Sequence, residues 1–373
     1  MALAGCGGGH TPPPAAPPVP RDSIAVSIFL IGDAGAPYPD DPVLAELTRQ
    51  SGTSPAGSVI AFLGDNLYPR GLPDSTDFAL RLEMERRLDN QVAVARTSKR
   101  KAFFIPGNHD WSRMGVTGWD NIKRSQRFIR VKGEGFAEQR PRNGCPGPEW
   151  ADVGTGLRLV FIDTQWWLHG ALPKPRGPDT LCLAKSEEEF EKELTAVIKN
   201  AGNRAVIVTA HHPLATAGEH GGHFTIWDHV FPLREVKNWL WIPLPLIGSL
   251  YPAARTRGIS DQDINGRENR RMRAALERAL KEGKALLYAA GHDHNLQIFK
   301  GPGAEFTVVS GAGYFGHTSP VGARKETAYR AALSGFMRVD LLRSGSIRLS
   351  VITVGTTGAR EAYAIWLKEA AED

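Results

Sequence analysis

The chain has 373 residues, 42% of them hydrophobic and 23% charged, with a formal net charge of +5 and a pI near 9.1. This is the composition of a globular protein able to bury a sizeable core in one large domain or two. It lacks the dense Lys/Arg stripe of a nucleic-acid-binding protein and any apolar run of transmembrane length.

The amino terminus is predicted to contain a targeting signal followed by a tether. Leu3-Ala4-Gly5-Cys6 matches a bacterial lipobox, in which Cys6 would become lipidated, but the charged and apolar parts of a signal peptide are missing before it. A start upstream of Met1 is favoured over a trimmed chain or a chance match. We therefore expect residues 1–22 to be a lipobox remnant with a Gly/Pro-rich tether, residues 23–373 to form the folded domain, and the protein to be exported to the periplasm or cell envelope.

Five apolar runs each lead into a short group of polar residues. The runs cover 24–31, 58–63, 102–106, 205–210 and 285–290, and the groups that follow are Gly32-Asp33-Ala34-Gly35, Gly64-Asp65-Asn66-Leu67-Tyr68, Gly107-Asn108-His109-Asp110, His211-His212-Pro213 and Gly291-His292-Asp293-His294. Such runs predict buried strands of a parallel-type sheet, whose carboxyl ends are where α/β proteins gather ligands. One common site is the simplest interpretation.

The polar groups are of the types that hold a pair of metal ions. Carboxylates, an amide oxygen and imidazoles together suit divalent or trivalent transition ions better than calcium. The candidates are Asp33, Asp65, Asn108, His211, His292 and His294. An aspartate after a glycine in a tight turn can direct both oxygens outward, so Asp65 is the predicted bridge between the ions. Taken singly, each Gly-Asp pair could be only a turn.

In their order, these motifs resemble the calcineurin-like metallophosphoesterases and, within them, the purple acid (tartrate-resistant acid) phosphatases. Most of the wider superfamily has Asp-x-His in the first motif, whereas this chain has Gly35 there and adds Tyr68 in the second motif. That combination is the purple acid phosphatase pattern, in which a tyrosinate binds ferric iron. Glu219-His220 and the stretch Ser310 to Gly313 also look like the small mammalian-type members.

The resemblance implies an α/β fold made of a two-sheet β-sandwich flanked by helices. It also implies a ferric ion and a divalent ion, which would be Fe, Zn or Mn. The ferric ligands would be Asp33, Asp65, Tyr68 and His294, and the divalent ligands Asp65, Asn108, His211 and His292. Alone, Tyr68 would more often be a packing residue.

The implied activity is hydrolysis of small-molecule phosphate monoesters by a metal-bound hydroxide, since paired cations generate hydroxide and neutralise the phosphate. His109 and His220 match the positions that orient the phosphate and protonate the leaving oxygen. His220 is less distinct, because five histidines crowd its segment. His212 and Asp110 are expected to orient the metal ligands. A phosphodiesterase with Mn, Zn or two irons and a non-catalytic metal-containing lipoprotein are the alternatives.

Helical patterns separate the strands. Ser186 with Glu189 predicts a capping box that opens a helix ending at Gly202, and residues 267–281 predict another helix before Gly283. Residues 336–341 and 347–352, joined at Ser344-Gly345, predict an antiparallel hairpin that extends a sheet. Cys145 and Cys182 would form either a disulfide or two buried thiols.

An apolar insert near residues 230–262 separates the fourth and fifth motifs. Its segment 239–247 is apolar, interrupted by prolines and too short to span a bilayer. We expect a packed loop or a substrate lid. The alternative is a membrane-resting loop at 239–251, held near lipid by a modified Cys6, because Trp-rich apolar segments suit the interface.

Overall fold

The computed structural model describes residues 14–178, 180–235, 240–245 and 247–370. The strands are β1 Ile24–Ile31, β2 Val59–Leu63, β3 Lys101–Ile105, β4 Ala137–Gln139, β5 Glu149–Val153, β6 Leu157–Phe161, β7 Ala205–Thr209, β8 Leu287–Ala290, β9 Leu296–Lys300, β10 Phe306–Ser310, β11 Thr327–Ala331, β12 Gly335–Leu342, β13 Ile347–Gly355 and β14 Gly358–Lys368. The α-helices are α1 Pro42–Gly52, α2 Phe78–Ser98, α3 Gly118–Lys132, α4 Thr164–Leu168, α5 Glu187–Lys199, α6 Ile226–Val230, α7 Leu250–Thr256 and α8 Arg267–Gly283.

The strands form two seven-stranded mixed sheets. The first sheet has the order β14-β13-β12-β1-β2-β3-β4, and the second has the order β11-β9-β10-β8-β7-β6-β5. Strands β1 to β4 run parallel to one another, as do β6, β7, β8 and β10, while the remaining pairs are antiparallel. All five predicted strands are present. They divide between the sheets, with three in the first and two in the second.

Alternation along β1 shows why its second half is apolar on both faces. Ile28 and Leu30 face the core between the two sheets, which also contains Phe161 of the second sheet. Phe29 and Ile31 point the other way, into the core beneath α1 and α2. Because strand side chains alternate and both faces are covered here, every position from Ile28 to Ile31 is apolar and buried. The second sheet is covered in the same way by α5 and α8, which confirms the predicted two-sheet sandwich flanked by helices.

The predicted helices and hairpin are confirmed with small differences at their ends. The Ser186 hydroxyl accepts the Glu189 amide (3.2 Å), but the Glu189 carboxylate returns to the Lys185 amide (2.8 Å), one residue earlier than in a capping box. Helix α5 ends at Lys199, before Gly202, and α8 continues through Gly283. Strands β12 and β13 pair antiparallel, as expected, and join the first sheet beside β1.

Cys145 and Cys182 form a disulfide, which decides between the two alternatives for this pair. Within the predicted tether, Ala16 is buried, donates its amide to the Ala364 carbonyl (2.8 Å) and accepts from Arg348 (3.2 Å). The lipobox at Cys6 lies outside the described residues. Among the helices that the structure describes, none is both long and apolar enough to cross a bilayer.

Candidate metal centre

Three candidate ligands occupy a backbone conformation that side chains normally avoid. Asp33, Asp65 and His292 have φ angles of 59°, 52° and 73°. Each follows a glycine directly after its strand: β1 and β2 in the first sheet, and β8 in the second. Positive φ in a residue other than glycine is uncommon, and when it persists it is concentrated at functional sites. The turns therefore mark the sheet edges where the ligand groups meet.

The first group of side chains, here called the first cluster, consists of Asp33, Tyr68 and His294. The Tyr68 hydroxyl donates to Asp33 Oδ1 at 3.0 Å and lies 3.1 Å from His294 Nε2. His294 Nε2 is 3.6 Å from Asp33 Oδ1. Burial and the neighbouring Asp65 carboxylate raise the pKa of Asp33 well above its usual range. A buried, electrostatically strained carboxylate beside an imidazole and a phenol is a suitable environment for a cation.

The second cluster consists of Asn108, His211 and His292, all of them buried. His211 Nε2 lies 2.8 Å from Asn108 Oδ1, and His292 Nδ1 lies 3.2 Å from both the Asn108 oxygen and His211 Nε2. Burial lowers the pKa of both histidines, so the neutral imidazoles that metals require are favoured. Three polar atoms thus converge at the spacing found between neighbouring ligands of one cation.

Backbone carbonyls fix which nitrogen of each histidine faces the second cluster. His211 Nδ1 donates to the Leu63 carbonyl at 2.9 Å, and His292 Nε2 donates to the Gln262 carbonyl at 2.9 Å. A carbonyl only accepts, so the opposite nitrogen in each ring presents its lone pair to the cluster. Without a cation, these lone pairs and the Asn108 oxygen would oppose one another. The donor set therefore fits a metal, since ligating histidines commonly use their second nitrogen in this way.

Asp65 lies between the two clusters. Its Oδ1 accepts the His109 amide at 2.8 Å and is 3.4 Å from His211 Nε2. Ligand atoms of Asp33, Asp65 and His211 all lie within 4.8 Å of one another. A Cβ on Gly107 would overlap the Asp65 amide and carboxylate, so only glycine permits this approach. The arrangement is compatible with the predicted bridging role of Asp65.

The structure also gives a physical reason for Gly35, where the wider superfamily has histidine. A Cβ at this position would lie 2.5 Å from the Asp65 carbonyl oxygen and 2.7 Å from the Leu67 amide. No side chain fits there without moving the turn that carries Asp65. Tyr68 instead extends the polar lining beside Asp33, as the sequence pattern led us to expect.

His109 and His220 line one cavity of about 400 Å³ next to the clusters. His109 donates from Nδ1 to the Pro69 carbonyl (2.7 Å), and its Nε2 lies 3.8 Å from Asp65 Oδ2. The His220 ring centroid is 3.8 Å from that of His292. Both histidines thus face the cavity that borders the candidate metal centre.

Charge around His220 favours its protonated form. Burial lowers the pKa of this imidazole, but the hydrogen bond from Nδ1 to Asp263 (2.8 Å) and the nearby Asp293 carboxylate outweigh burial and leave the pKa raised. For Asp263, burial alone would raise the pKa. Its hydrogen bonds with Arg255 and His220 outweigh burial, so the pKa of this carboxyl lies below its ordinary value. A protonated imidazole at this position could donate a proton into the cavity.

Asp110 and His212 contact residues that neighbour or hold the candidate metal ligands. Asp110 accepts the amides of Gly107 (2.8 Å) and Asn66 (3.1 Å), and burial with the nearby Asp65 charge raises its pKa to about 8. His212 contacts Thr164 (2.8 Å) and the Gln262 side chain (2.9 Å). Since the Gln262 carbonyl holds His292, these contacts agree with the expected orienting role of His212.

Several neighbours of the site were not identified from the sequence. Gln262 acts through its backbone carbonyl, which leaves no signature in residue type. Asp263 and Arg255 come from the insert, and the Asp261-Gln262-Asp263 stretch is the one signal that could have suggested a carboxylate partner for a histidine. The His317 ring packs against that of His294 at a tilt, with centroids 3.8 Å apart, and no motif predicted it.

Comparison with solved structures gives the same fold. GAP50, described as the anchor in the inner membrane complex of Plasmodium, has a TM-score of 0.54 at 17% identity, over 92% of this chain and 88% of that one. Purple acid phosphatase PPD1 from yellow lupin (Lupinus luteus) seeds has a TM-score of 0.53 at 13% identity, over 94% of this chain and 55% of that one. PhoD has a TM-score of 0.54 at 8% identity, over 92% and 70%. At these identities the likeness shows the fold alone.

The sequence itself carries the family assignment. No functionally curated protein matches the chain. The profile of the calcineurin-like phosphoesterases, however, matches residues 26–296, a span that begins in β1 and ends at the first residue of β9. It therefore contains all five motifs and both clusters. The chain belongs to the calcineurin-like phosphoesterase family.

Proposed function

We propose that the protein hydrolyses small-molecule phosphate monoesters at a dinuclear metal centre of the purple acid phosphatase type. The observation that carries the proposal is the convergence of two ligand clusters on Asp65, with His109 and His220 beside them in one cavity. The family supports the coarser part, a metal-dependent phosphoesterase. The monoester preference rests on the resemblance of the motifs.

In this proposal the first cluster and Asp65 hold Fe(III), and the second cluster and Asp65 hold a divalent Fe, Zn or Mn. Burial and the carboxylates of Asp33 and Asp65 raise the pKa of Tyr68 well above 10. A tyrosinate therefore needs a strongly charged cation beside it, which favours a ferric ion over a divalent one. When bound, the two cations supply a nucleophile from water at neutral pH and neutralise charge on the phosphate.

The chain's own histidines divide the remaining work. His109 is fixed by its bond to the Pro69 carbonyl with Nε2 on the side of Asp65, where it orients a phosphate oxygen. His220 is held through Nδ1 by Asp263, so Nε2 is the nitrogen that delivers a proton to the leaving oxygen. Loss of either group affects chemistry more than metal binding, because neither belongs to the proposed ligand set.

A turnover assay tests the proposal against its two rivals. We expect metal-loaded protein to hydrolyse p-nitrophenyl phosphate faster than bis(p-nitrophenyl) phosphate, with two metal ions per chain by elemental analysis. The variant Asp65→Asn, purified in parallel, controls for a contaminating phosphatase. Faster hydrolysis of the diester would replace the monoesterase by a phosphodiesterase. Two bound ions without turnover of either ester would favour a binding protein, and GAP50 is a protein of this fold that is described as an anchor.

We also propose that the protein is exported and held at a membrane surface through Cys6. The Cys145–Cys182 disulfide supports an oxidising compartment. Ile242, Ile247 and Leu250 in the 239–251 segment are 48%, 66% and 67% exposed, as expected of an apolar segment that faces lipid. Trp239 and Leu246 lie outside the described residues. Fractionation should find the wild type with membranes and Cys6→Ser in the soluble fraction, and equal partitioning of both would refute the anchor.

A further inference from the structure

A short turn at the carboxyl end of the insert contacts the histidines of the candidate site. Residues 262–264 follow α7 and make three successive contacts. The Gln262 carbonyl accepts from His292 Nε2 (2.9 Å), Asp263 Oδ1 accepts from His220 Nδ1 (2.8 Å), and the Ile264 amide donates to the His220 carbonyl (3.0 Å). Consecutive residues thus hold one histidine of the second cluster and the histidine that faces the ester. Such a sequence of bonds fixes the two rings relative to each other.

Asp263 is itself held by Arg255 of α7. Arg255 Nε donates to Asp263 Oδ2 at 2.9 Å, and Nη2 contacts Oδ1. The same guanidinium pairs through Nη1 with Glu219, the residue before His220. The side chains are 10% exposed for Arg255 and 3% for Asp263. A bidentate pair shielded from water keeps its geometry better than a surface ion pair does.

This geometry determines how His220 can act. Because a carboxylate accepts hydrogen bonds, the Asp263 bond keeps a proton on His220 Nδ1 and leaves Nε2 toward the cavity. The amide of His220 is fixed independently, since it donates to Asp293 Oδ1 at 3.2 Å. Asp293 thus holds the backbone of this loop, whereas Asp263 holds the ring. Removal of the Asp263 carboxylate should therefore release the ring, while Arg255 keeps its contact with Glu219.

We propose that Asp263 and Arg255 of the insert are positioning residues that hold the His220 ring with Nε2 toward the leaving oxygen of the ester. The inference rests on the proposed function, in which His220 protonates that oxygen. It gives the insert a role in turnover that is separate from covering the cavity. Asp263 does not touch the ester in this scheme and acts only through His220.

Kinetics of Asp263 variants test the role. We expect Asp263→Ala to lower kcat on an alkyl phosphate by about 10- to 100-fold, as for other residues that hold a functional histidine, with little change in KM or metal content. The loss should be smaller on p-nitrophenyl phosphate, whose leaving group needs less protonation. Asp263→Asn, whose amide oxygen can still accept the hydrogen bond from His220 Nδ1, should retain more activity than Asp263→Ala. The matched control is Asp261→Asn, two residues away, where the side chain accepts the Glu268 amide at 2.9 Å.

A double-mutant cycle separates positioning from a general structural effect. If Asp263 acts through His220, then Asp263→Ala should cost little further activity once His220 is alanine. Equal losses in both backgrounds, or equal losses on both substrates, would overturn the inference.

The ring orientation can also be measured without turnover. Nitrogen-15 NMR of labelled histidines, assigned with His220→Ala, should report a protonated Nδ1 on His220 in the wild type and a changed signal in Asp263→Ala. An unchanged signal would refute positioning even in an inactive protein. Conversely, a changed signal in a protein without phosphoesterase activity would leave the positioning intact and refute the proposed function instead.

Discussion

The candidate metal centre and the insert contribute to one cavity in different ways. At the centre, the ligands lie on the short segments that follow β1, β2, β3, β7 and β8, so the geometry is encoded in short motifs. In the insert, the contributing groups are a backbone carbonyl and a buried ion pair, at Gln262, Asp263 and Arg255. The ligand set is therefore visible in the sequence, whereas the groups that hold it in place depend on tertiary structure.

The two regions also differ in how their polar groups are stabilised. Asp33 at the centre is buried, and burial together with the neighbouring carboxylates of Asp65 and Asp293 raises its pKa. Asp263 in the insert is paired with Arg255 and His220, which lower its pKa. The centre thus contains a carboxylate that is left for a metal, whereas the insert supplies one that the protein itself neutralises. Substitutions in each region should consequently produce different defects.

The largest effect should come from the residue shared by both clusters. Asp65→Asn removes one charge from the position between the two proposed ions, so metal content should fall to one ion or none per chain. Activity should fall by more than the roughly 10- to 100-fold typical of outer partners. Elemental analysis and turnover measure this directly. Two tightly bound ions with near-normal turnover would show that Asp65 is not the bridge.

Alanine at His109 or His220 should leave metal content unchanged and lower kcat by roughly 10²- to 10⁴-fold on substrates with poor leaving groups. At the residue that acts as the acid, the loss should shrink on p-nitrophenyl phosphate relative to an alkyl phosphate. A residue whose alanine variant loses the same factor on both substrates is not the acid. Loss of metal in either variant would show that the substituted histidine contributes to metal binding.

Tyr68→Phe should have a smaller effect on activity and a clear effect on colour. An Fe(III)–phenolate pair absorbs visible light, so iron-loaded wild type should be pink to purple. The variant should lose that band and retain ferric iron more weakly, with the fold preserved because one hydroxyl is removed. A visible spectrum decides the matter. Colourless wild type, or colour that persists in Tyr68→Phe, would favour a manganese or zinc phosphodiesterase.

The smallest effect on the site should come from the disulfide. Cys145 and Cys182 are 37 residues apart in the sequence. Loss of their disulfide should lower the free energy of unfolding by about 2–4 kcal/mol, because the unfolded chain regains conformational entropy. Urea titration of the double serine variant measures the loss. Each single variant is the matched control and should lose the same amount. A single variant as stable as the wild type would show that the link contributes nothing.

Much of the first sheet and of the ligand set could be predicted from the sequence, because buried parallel strands are uniformly apolar and end in recognisable motifs. Strand β1 matches its predicted limits, and β12 and β13 were found from their turn. Strands β5 and β11 were not, since they lie at the edge of the second sheet and mix polar with apolar residues. Glu149 and Asp152, for example, interrupt β5.

The same reasoning explains which parts of the site were missed. Asp33, Tyr68 and His294 are brought together as the motifs implied, although their separation in the chain is large. Gln262 and Asp263 lie in a segment with no strand or helix period of its own. Their contacts arise only when the insert folds back onto His220 and His292, which local sequence cannot reveal.

The positive φ angles at Asp33, Asp65 and His292 lower the stability of the metal-free fold. Each such residue costs on the order of 1–3 kcal/mol, and the buried carboxylates add repulsion to that cost. A cation that binds only the folded centre offsets these terms and stabilises the fold by about 2.7 kcal/mol at a hundred times its Kd. The folded fraction thus becomes a function of free metal concentration. The melting temperature can therefore serve as a gauge of occupancy, independent of any substrate.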